Sequence, residues 1–415
     1  MELINNNQVP EGYKKTEVGV IPEDWEVVQL KDLIDEDRRI TYGIVVPGQH
    51  TSNGVPMIRA QDYSRGWVDI EYLYRVSPKI DESYKRSRVL PDDILLTIVG
   101  SVGNLAKVPS GFRNTNITQQ TARLAFNKKA SADFYLNILQ SKLGKNVILN
   151  YTKSGVQPSL NLSDVEKFNL PYPPLPEQKA IAQTLSDVDT LIDALDKLIA
   201  KKRNIKTGTM QQLLTGKTRL PGFRGEWEVK KLGDVVDFSN GKAHENSILP
   251  NGKFIVINSK FISTQGEVKK YSDSCFCSVS TDQIVMVMSD VPNGKAIAKC
   301  FYIDKEDKYT LNQRICSLKA ITVDSKILFY LIDRNPYYLA FDDGVKQTNL
   351  RKDDVLSCPL KLPPTLEEQK AIAQVLSDID SEIATLEKRR AKTQAIKQGI
   401  MQELLTGRTR LKIEA

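Results

Sequence analysis

The sequence has little of what most catalytic chemistry needs. It holds only two histidines, His50 and His244. Neither stands at a His/Cys spacing suited to zinc, and Cys275-x-Cys277 has no second pair, so a four-ligand metal site is not expected. The five cysteines, Cys275, Cys277, Cys300, Cys316 and Cys358, all fall in the C-terminal half, and their number is odd. The opening stretch, MELINNNQVPEGYKK, has no apolar leader core. Reduced thiols and a cytoplasmic location are the expectation. There is no run of about 18 apolar residues, so no membrane span is expected.

Known catalytic signatures are approached and missed. Gly216-Lys217-Thr218 resembles the end of a phosphate loop, but position 211, where that loop needs a glycine, is Gln. Gly100-x-x-Gly103 lacks the third glycine and the acidic partner of a dinucleotide fingerprint. Asn335-Pro336-Tyr337-Tyr338 has Tyr where the base-gripping loop of amino-methyltransferases has a second proline. No Ser-His-Asp set, Cys-His pair or nuclease-type carboxylate and lysine cluster stands out. The expectation is a chain with no catalytic residue, no metal and no cofactor of its own.

What is present is an ordinary globular composition, 40% hydrophobic and 26% charged over 415 residues, enough for two or three domains. Lys plus Arg is 58 and Asp plus Glu 51, a net charge of +7. That excess fits a nucleic-acid partner and fits ordinary solubility equally well.

The strongest signal is internal. Residues 171–220 and 362–411 match without a gap at a constant shift of 191, with about 30 of 50 positions identical. A repeat this long marks a duplicated domain-sized module, not a solenoid unit. Fainter echoes flank it: Asp24-Trp25-Glu26-Val27 against Glu226-Trp227-Glu228-Val229, and Gly155-Val156-Gln157 against Gly344-Val345-Lys346-Gln347. The globular segments between, about 26–170 and 228–361, are otherwise almost unrelated. The organisation expected is a globular domain over 1–172, a shared helix over 173–218, a second globular domain over 219–361 and the second shared helix over 362–415.

In the shared segments the apolar residues fall at Ile181, Leu185, Val188, Ile192, Leu195 and Ile199, and at Ile372, Leu376, Ile379, Ile383 and Leu386. Their alternating spacing of four and three is a heptad seam. Prolines precede both segments, and Gly216 and Gly407 stand where each helix should stop. Each helix would run roughly 38 residues, about 57 Å. The two seams are expected to pair antiparallel in a coiled coil; the plainer alternative packs each helix on its own domain. The basic clusters Lys201-Lys202-Arg203-Lys206 and Lys388-Arg389-Arg390-Lys392 are either a solvated face or a contact for phosphate or a partner.

The globular segments read as α+β, mostly antiparallel. Residues 93–99 and 283–288 are matching buried strands, each followed by a tight turn and then an Asn/Gln/Thr-rich stretch. Helices are expected over about 132–150 and 325–341.

Two diverged domains separated by near-identical long helices resemble the specificity subunit of type I restriction–modification enzymes. The residues that carry the resemblance are Pro-Leu-Pro-Glu-Gln-Lys-Ala-Ile-Ala (174–182), its twin around Glu368-Gln369-Lys370-Ala371-Ile372-Ala373, Leu-Leu-Thr-Gly (213–216 and 404–407), and Gly-Val-Ile-Pro-Glu-Asp-Trp (19–25). The resemblance implies an α+β fold of two pseudo-two-fold-related target recognition domains separated by two long antiparallel helices. It implies that each domain reads one half of a split, non-palindromic double-stranded DNA site. It implies too that the helices set the spacer and dock two modification subunits, which bind S-adenosylmethionine and methylate adenine. Restriction subunits using ATP and Mg would join them. Specificity subunits of other multi-subunit restriction classes, or a bridging scaffold without sequence-specific DNA binding, would share much of this layout. Base reading would fall to Asn, Gln, Arg and Ser side chains and affinity to Lys and Arg on phosphates. The candidates are Arg59, Gln61, Ser101, Asn104, Gln119 and Gln120 in the first domain, and Asn258, Lys260, Asn293, Lys295, Gln313 and Arg314 in the second. Arg86 and Arg88 are candidate phosphate contacts.

Overall fold

A computed structural model describes residues 9–306 and 308–412; the first eight residues of the stretch read for a leader lie outside them. The chain forms two compact units, one of residues 1–195 and 389–415, the other of residues 196–388. Each unit therefore takes part of each long helix.

The first unit holds a four-stranded antiparallel sheet ordered Thr41–Tyr42, Thr121–Leu124, Ile94–Thr97, Leu105–Lys107. Ile94, Leu95 and Leu96 are fully buried, as an unbroken apolar run bounded by turn residues requires. A three-stranded sheet, Tyr74–Val76, Val55–Ile58, Asn116–Ile117, lies alongside; its last pair is parallel, with Met57 opposite Asn116. The second unit repeats this plan with other residues. Its four-stranded sheet runs Val236–Asn240, Ile315–Ala320, Gln283–Val287, Cys300–Tyr302. Its second sheet is centred on another parallel pair, Ile255 opposite Tyr309. Cys300, Cys316 and Cys358 are free thiols buried in this core. Burial pushes the Cys316 thiol up to about 12.

Each of the two expected short helices is in fact two. Residues 132–150 divide into Ala132–Gln140 and Lys142–Tyr151. Ser141 between them is extended, and its hydroxyl caps the second helix by accepting from the Gly144 amide. Residues 325–341 divide into Ser325–Ile332 and Pro336–Leu339. There Asn335 caps the Tyr337 amide at 2.9 Å, and Pro336 has no N–H to continue a helix. The Asn-Pro-Tyr-Tyr segment is thus a helix break.

The long helices span Leu175–Leu213 and Leu366–Leu404. Glycine closes both. Gly216 (φ +70°) and Gly407 (φ +67°) occupy the left-handed region, where a Cβ is costly; a Cβ on Gly407 would lie 2.5 Å from Pro22. This accounts for Gly216-Lys217-Thr218 as a helix terminus.

In the first unit Ile181 and Leu185, from the start of the first helix, share a core with Met401, Leu404 and Leu405 from the end of the second, and with Trp25 and Phe134. Farther along, Lys397 pairs with Asp189. In the second unit Ile372 and Leu376 pack with Leu213, Ile327 and Tyr330. Lys202 pairs with Glu382, Arg203 with Glu387 and Lys206 with Asp380. Over each unit the order inverts, with 181–189 on one helix against 397–405 on the other in the first unit and 202–213 against 372–387 in the second, so the paired segments run antiparallel. Leu195, Ile199 and Ile383 are buried, and Val188, Ile192, Ile379 and Leu386 are half-buried. The seam also reaches beyond helix pairing, since its first two layers complete the globular cores. Lys202, Arg203 and Lys206 of the first basic cluster serve helix pairing.

The shared sequence makes twin fastenings. Gln178 accepts from the Ser131 amide at 2.8 Å and donates to Pro173 O. Gln369 accepts from the Asp324 amide at 2.9 Å and donates to Pro363 O. Each buried glutamine so ties a long helix to the residue that caps the domain's own helix. Beside them, Arg410 grips buried Glu177 through two N–H groups and Asp24 through two more, at 2.8 and 2.9 Å. Trp25 Nε1 also donates to Glu177, at 3.1 Å. The twin, Arg219, grips buried Glu368 and donates to the carbonyls of Arg224 and Gly225.

Candidate nucleic-acid interface

In the first unit, six sequence-selected residues line one cleft of about 600 Å³: Arg59, Gln61, Ser101, Asn104, Gln119 and Gln120. They arrive from three places. Arg59 and Gln61 follow strand Val55–Ile58; Ser101 and Asn104 sit on the turn after Ile94–Thr97; Gln119 and Gln120 sit between Asn116–Ile117 and Thr121–Leu124. Gly100 (φ +84°) and Gly103 (φ +93°) let that turn double back. The parallel pairing of 55–58 with 116–117 then brings the first and third groups together.

The cleft is amide- and hydroxyl-rich, with Tyr74 and Met57 on its wall. Arg59 is not free to aim wholly outward. Its Nε and an Nη bond Asp62 at 3.1 and 3.0 Å, and its guanidinium lies 5.8 Å from the Tyr74 ring centroid. The lining also includes Thr118, whose buried Oγ1 has no hydrogen-bond partner. A hydroxyl left unsatisfied at such a place costs free energy unless a ligand answers it. Sequence reasoning passed over Thr118, although it stands directly before Gln119.

Arg86 and Arg88 do not line this cleft. Arg86 is exposed and stacks over Tyr42, 6.0 Å from its centroid. Arg88 is held by Asp81 and Glu82, and these hydrogen bonds hold its proton more tightly than usual. Two carboxylates already balance its charge.

In the second unit the same local plan recurs. Met288 N donates to Arg314 O at 2.8 Å, as Ile98 N donates to Gln120 O at 2.8 Å. Gln313 and Arg314 thus hold the place of Gln119 and Gln120, beside the turn that carries Asn293 and Lys295. Arg314 (φ +68°) and Asn293 (φ +54°) both sit in the left-handed region, rare for residues with a Cβ. Gln313 bonds Glu245, and Asn293 donates to Gly344 O at 3.0 Å. Asn258 caps the short helix Ser259–Ser263 by accepting from Phe261 N at 2.9 Å, so its side chain is committed to the fold. Lys260 and Lys295 are exposed.

Among the described residues no group of His, Cys, Asp and Glu is arranged to hold a metal ion. Among the described residues no helix is long and apolar enough to cross a membrane.

The profile of the type I restriction modification DNA specificity domain matches residues 22–203 and again residues 224–398. The chain is similar to the putative type I restriction enzyme MjaX specificity subunit of Methanocaldococcus jannaschii, 29% identical over 97% of each chain. The MjaVIII specificity subunit of that organism is 28% identical over 99% of each. The EcoBI specificity subunit of Escherichia coli is 30% identical over 55% of this chain and 48% of its own. The fold resembles the crystal structure of a type I restriction-modification S subunit from M. genitalium, with a TM-score of 0.59 at 15% identity, covering 100% of this chain and 99% of that one. With two domain matches that span most of its length, the chain belongs to the type I restriction–modification DNA specificity family.

Proposed function

We propose that this subunit gives a type I restriction–modification complex its DNA sequence, each globular domain reading one half of a bipartite, non-palindromic double-stranded site. One observation carries the reading: amide and hydroxyl side chains from three separate turns converge on one cleft in the first unit. Such groups offer both donors and acceptors, as base edges require. The counterpart turns of the second unit carry different residues, 293–295 and 313–314, which suits a different half-site. Each long helix, at 39 residues, is about 58 Å long and would set the spacer. The repeated surfaces of the two helices would dock two identical modification subunits. S-adenosylmethionine would reside on those subunits, and ATP and Mg on the restriction subunits. The complex would act in the cytoplasm.

The test is a map of modified bases in the native genome with and without the gene. The expected result is methyladenine vanishing from one split, non-palindromic motif. Arg314→Ala should then relax only one half of that motif. An unchanged map in a strain with an active modification subunit, or equal loss at every sequence in the variant, overturns the reading.

A further inference from the structure

The Gly-Val-Gln echo, 155–157 in the first domain and 344–347 in the second, has no part in the reading above. It is one of the few features that two otherwise unrelated domains share. Burial does not account for it: Val156 is 111% exposed and Val345 76%. Leaving a β-branched apolar side chain in water at both tips gains nothing for the fold.

Behind the tips the two loops are anchored alike. Leu160 N donates to Ile98 O at 2.9 Å, and Leu350 N to Met288 O at 2.8 Å. Gly100 N donates to Pro158 O at 3.0 Å, and Val99 bridges Ser159. In the second domain Ser289 pairs with Asn349, and Gln347 Nε2 donates to Ser289 Oγ at 2.7 Å. Each loop is therefore fixed to the base of the turn that carries candidate base-reading residues, Ser101 and Asn104 in one domain, Asn293 and Lys295 in the other. Each also carries an exposed lysine, at unmatched positions: Lys153 three residues before Val156, and Lys346 directly after Val345.

A domain that reads its own half-site diverges where it touches bases. A part kept alike in both meets what the half-sites have in common, and two DNA half-sites share the sugar–phosphate backbone. We propose that the loops 153–157 and 344–347 are sequence-independent backbone clamps, one beside each reading surface. Lys153 and Lys346 each neutralise a phosphate, and the Val156 and Val345 tips lie against deoxyribose. Anchoring to the reading turn transmits that register to the base-contacting side chains. The inference rests on the two domains being DNA readers.

The experiment uses the full chain assembled with its modification subunits. Binding is titrated over a range of salt, on a duplex carrying the motif from the methylation map and on a scrambled duplex. The double variant Lys153→Ala/Lys346→Ala should weaken both duplexes alike, roughly tenfold, and flatten the log–log salt slope by about 2. Val156→Ser/Val345→Ser should weaken both duplexes alike with the salt slope unchanged. Unchanged affinity for both duplexes overturns the clamp. So does a loss confined to the motif duplex, which would make the loops base readers. Loss of the modification subunits on size exclusion, with DNA binding intact in whatever complex remains, also overturns it and makes the loops a protein contact. A wild-type complex that binds both duplexes equally overturns the DNA-reading function itself, and the clamp with it.

Discussion

The two arginine fastenings have matching sequence and different wiring. In the second unit Arg219 stands eight residues before Trp227, in one continuous segment that leads from the first long helix into the domain. In the first unit Arg410 comes from the far end of the chain to reach Asp24, Trp25 and Glu177. Local chemistry differs too. Glu177 accepts from both Arg410 and Trp25. Glu368 is gripped by Arg219, while the Trp227 indole N–H is buried without a partner. One shared motif thus joins residues far apart in the chain in one unit, Arg410 with Asp24, and closes a continuous segment in the other.

The largest effect should follow from removing the segment that carries Arg410. A chain stopped after Gly399 loses Met401, Leu404, Leu405 and Arg410. Three buried apolar side chains at about 1.5–3 kcal/mol each are comparable with a domain's whole stability of about 5–15 kcal/mol. Hydrogen exchange should show the first unit opening while strand Gln283–Val287 of the second stays protected. Protection retained in both units would mean that the C-terminal turns are dispensable.

Single substitutions should separate the two fastenings more finely. Arg219→Ala leaves Glu368 buried without its arginine, at a cost of about 3 kcal/mol, whereas Arg410→Ala leaves Glu177 its Trp25 partner and should cost nearer 2 kcal/mol. Trp25→Phe should cost about 1 kcal/mol more than Trp227→Phe, because only the first removes a hydrogen bond. Denaturant unfolding of each variant measures the order, and a reversed order would show that the indole contact has no energetic weight.

The smallest effect is a pH dependence confined to the first unit. Hydrogen bonds from Arg410 hold the Asp24 carboxyl below its ordinary value. A carboxyl lowered in the folded state adds stability above the unfolded-state pKa, about 3.9, and that stability is lost as the pH falls through the lowered value. Wild type should therefore exceed Asp24→Asn in stability at pH 7, and the gap should close below about pH 4. The second fastening has no counterpart, since Arg219 uses two backbone carbonyls in place of Asp24.

Much of this was legible in the residues. The heptad spacing from Ile181 to Ile199 and from Ile372 to Leu386 placed both long helices, and Gly216 and Gly407 placed their ends. Strand 93–99 and its counterpart at 283–288 were readable as unbroken apolar runs. The splits at Ser141 and Asn335 were harder to read. A capping serine or asparagine inside a helical pattern does not by itself say whether the helix stops, because that depends on whether the next segment packs at a new angle. Thr118 gave no signal, since an unsatisfied hydroxyl is a property of its surroundings and not of its residue type.

By itself the sequence determined the duplication, the antiparallel-capable seams and the family, because these are carried by spacing and identity along the chain. Only the tertiary structure decided that Arg410 and Arg219 close equivalent fastenings, and that Arg59, Gln61, Ser101, Asn104, Gln119 and Gln120 share one cleft while Arg88 is held by two carboxylates. Such groupings depend on parallel strand pairing and on which charges meet after folding. Those are contacts between residues far apart in the chain, and periodicity along it does not record them.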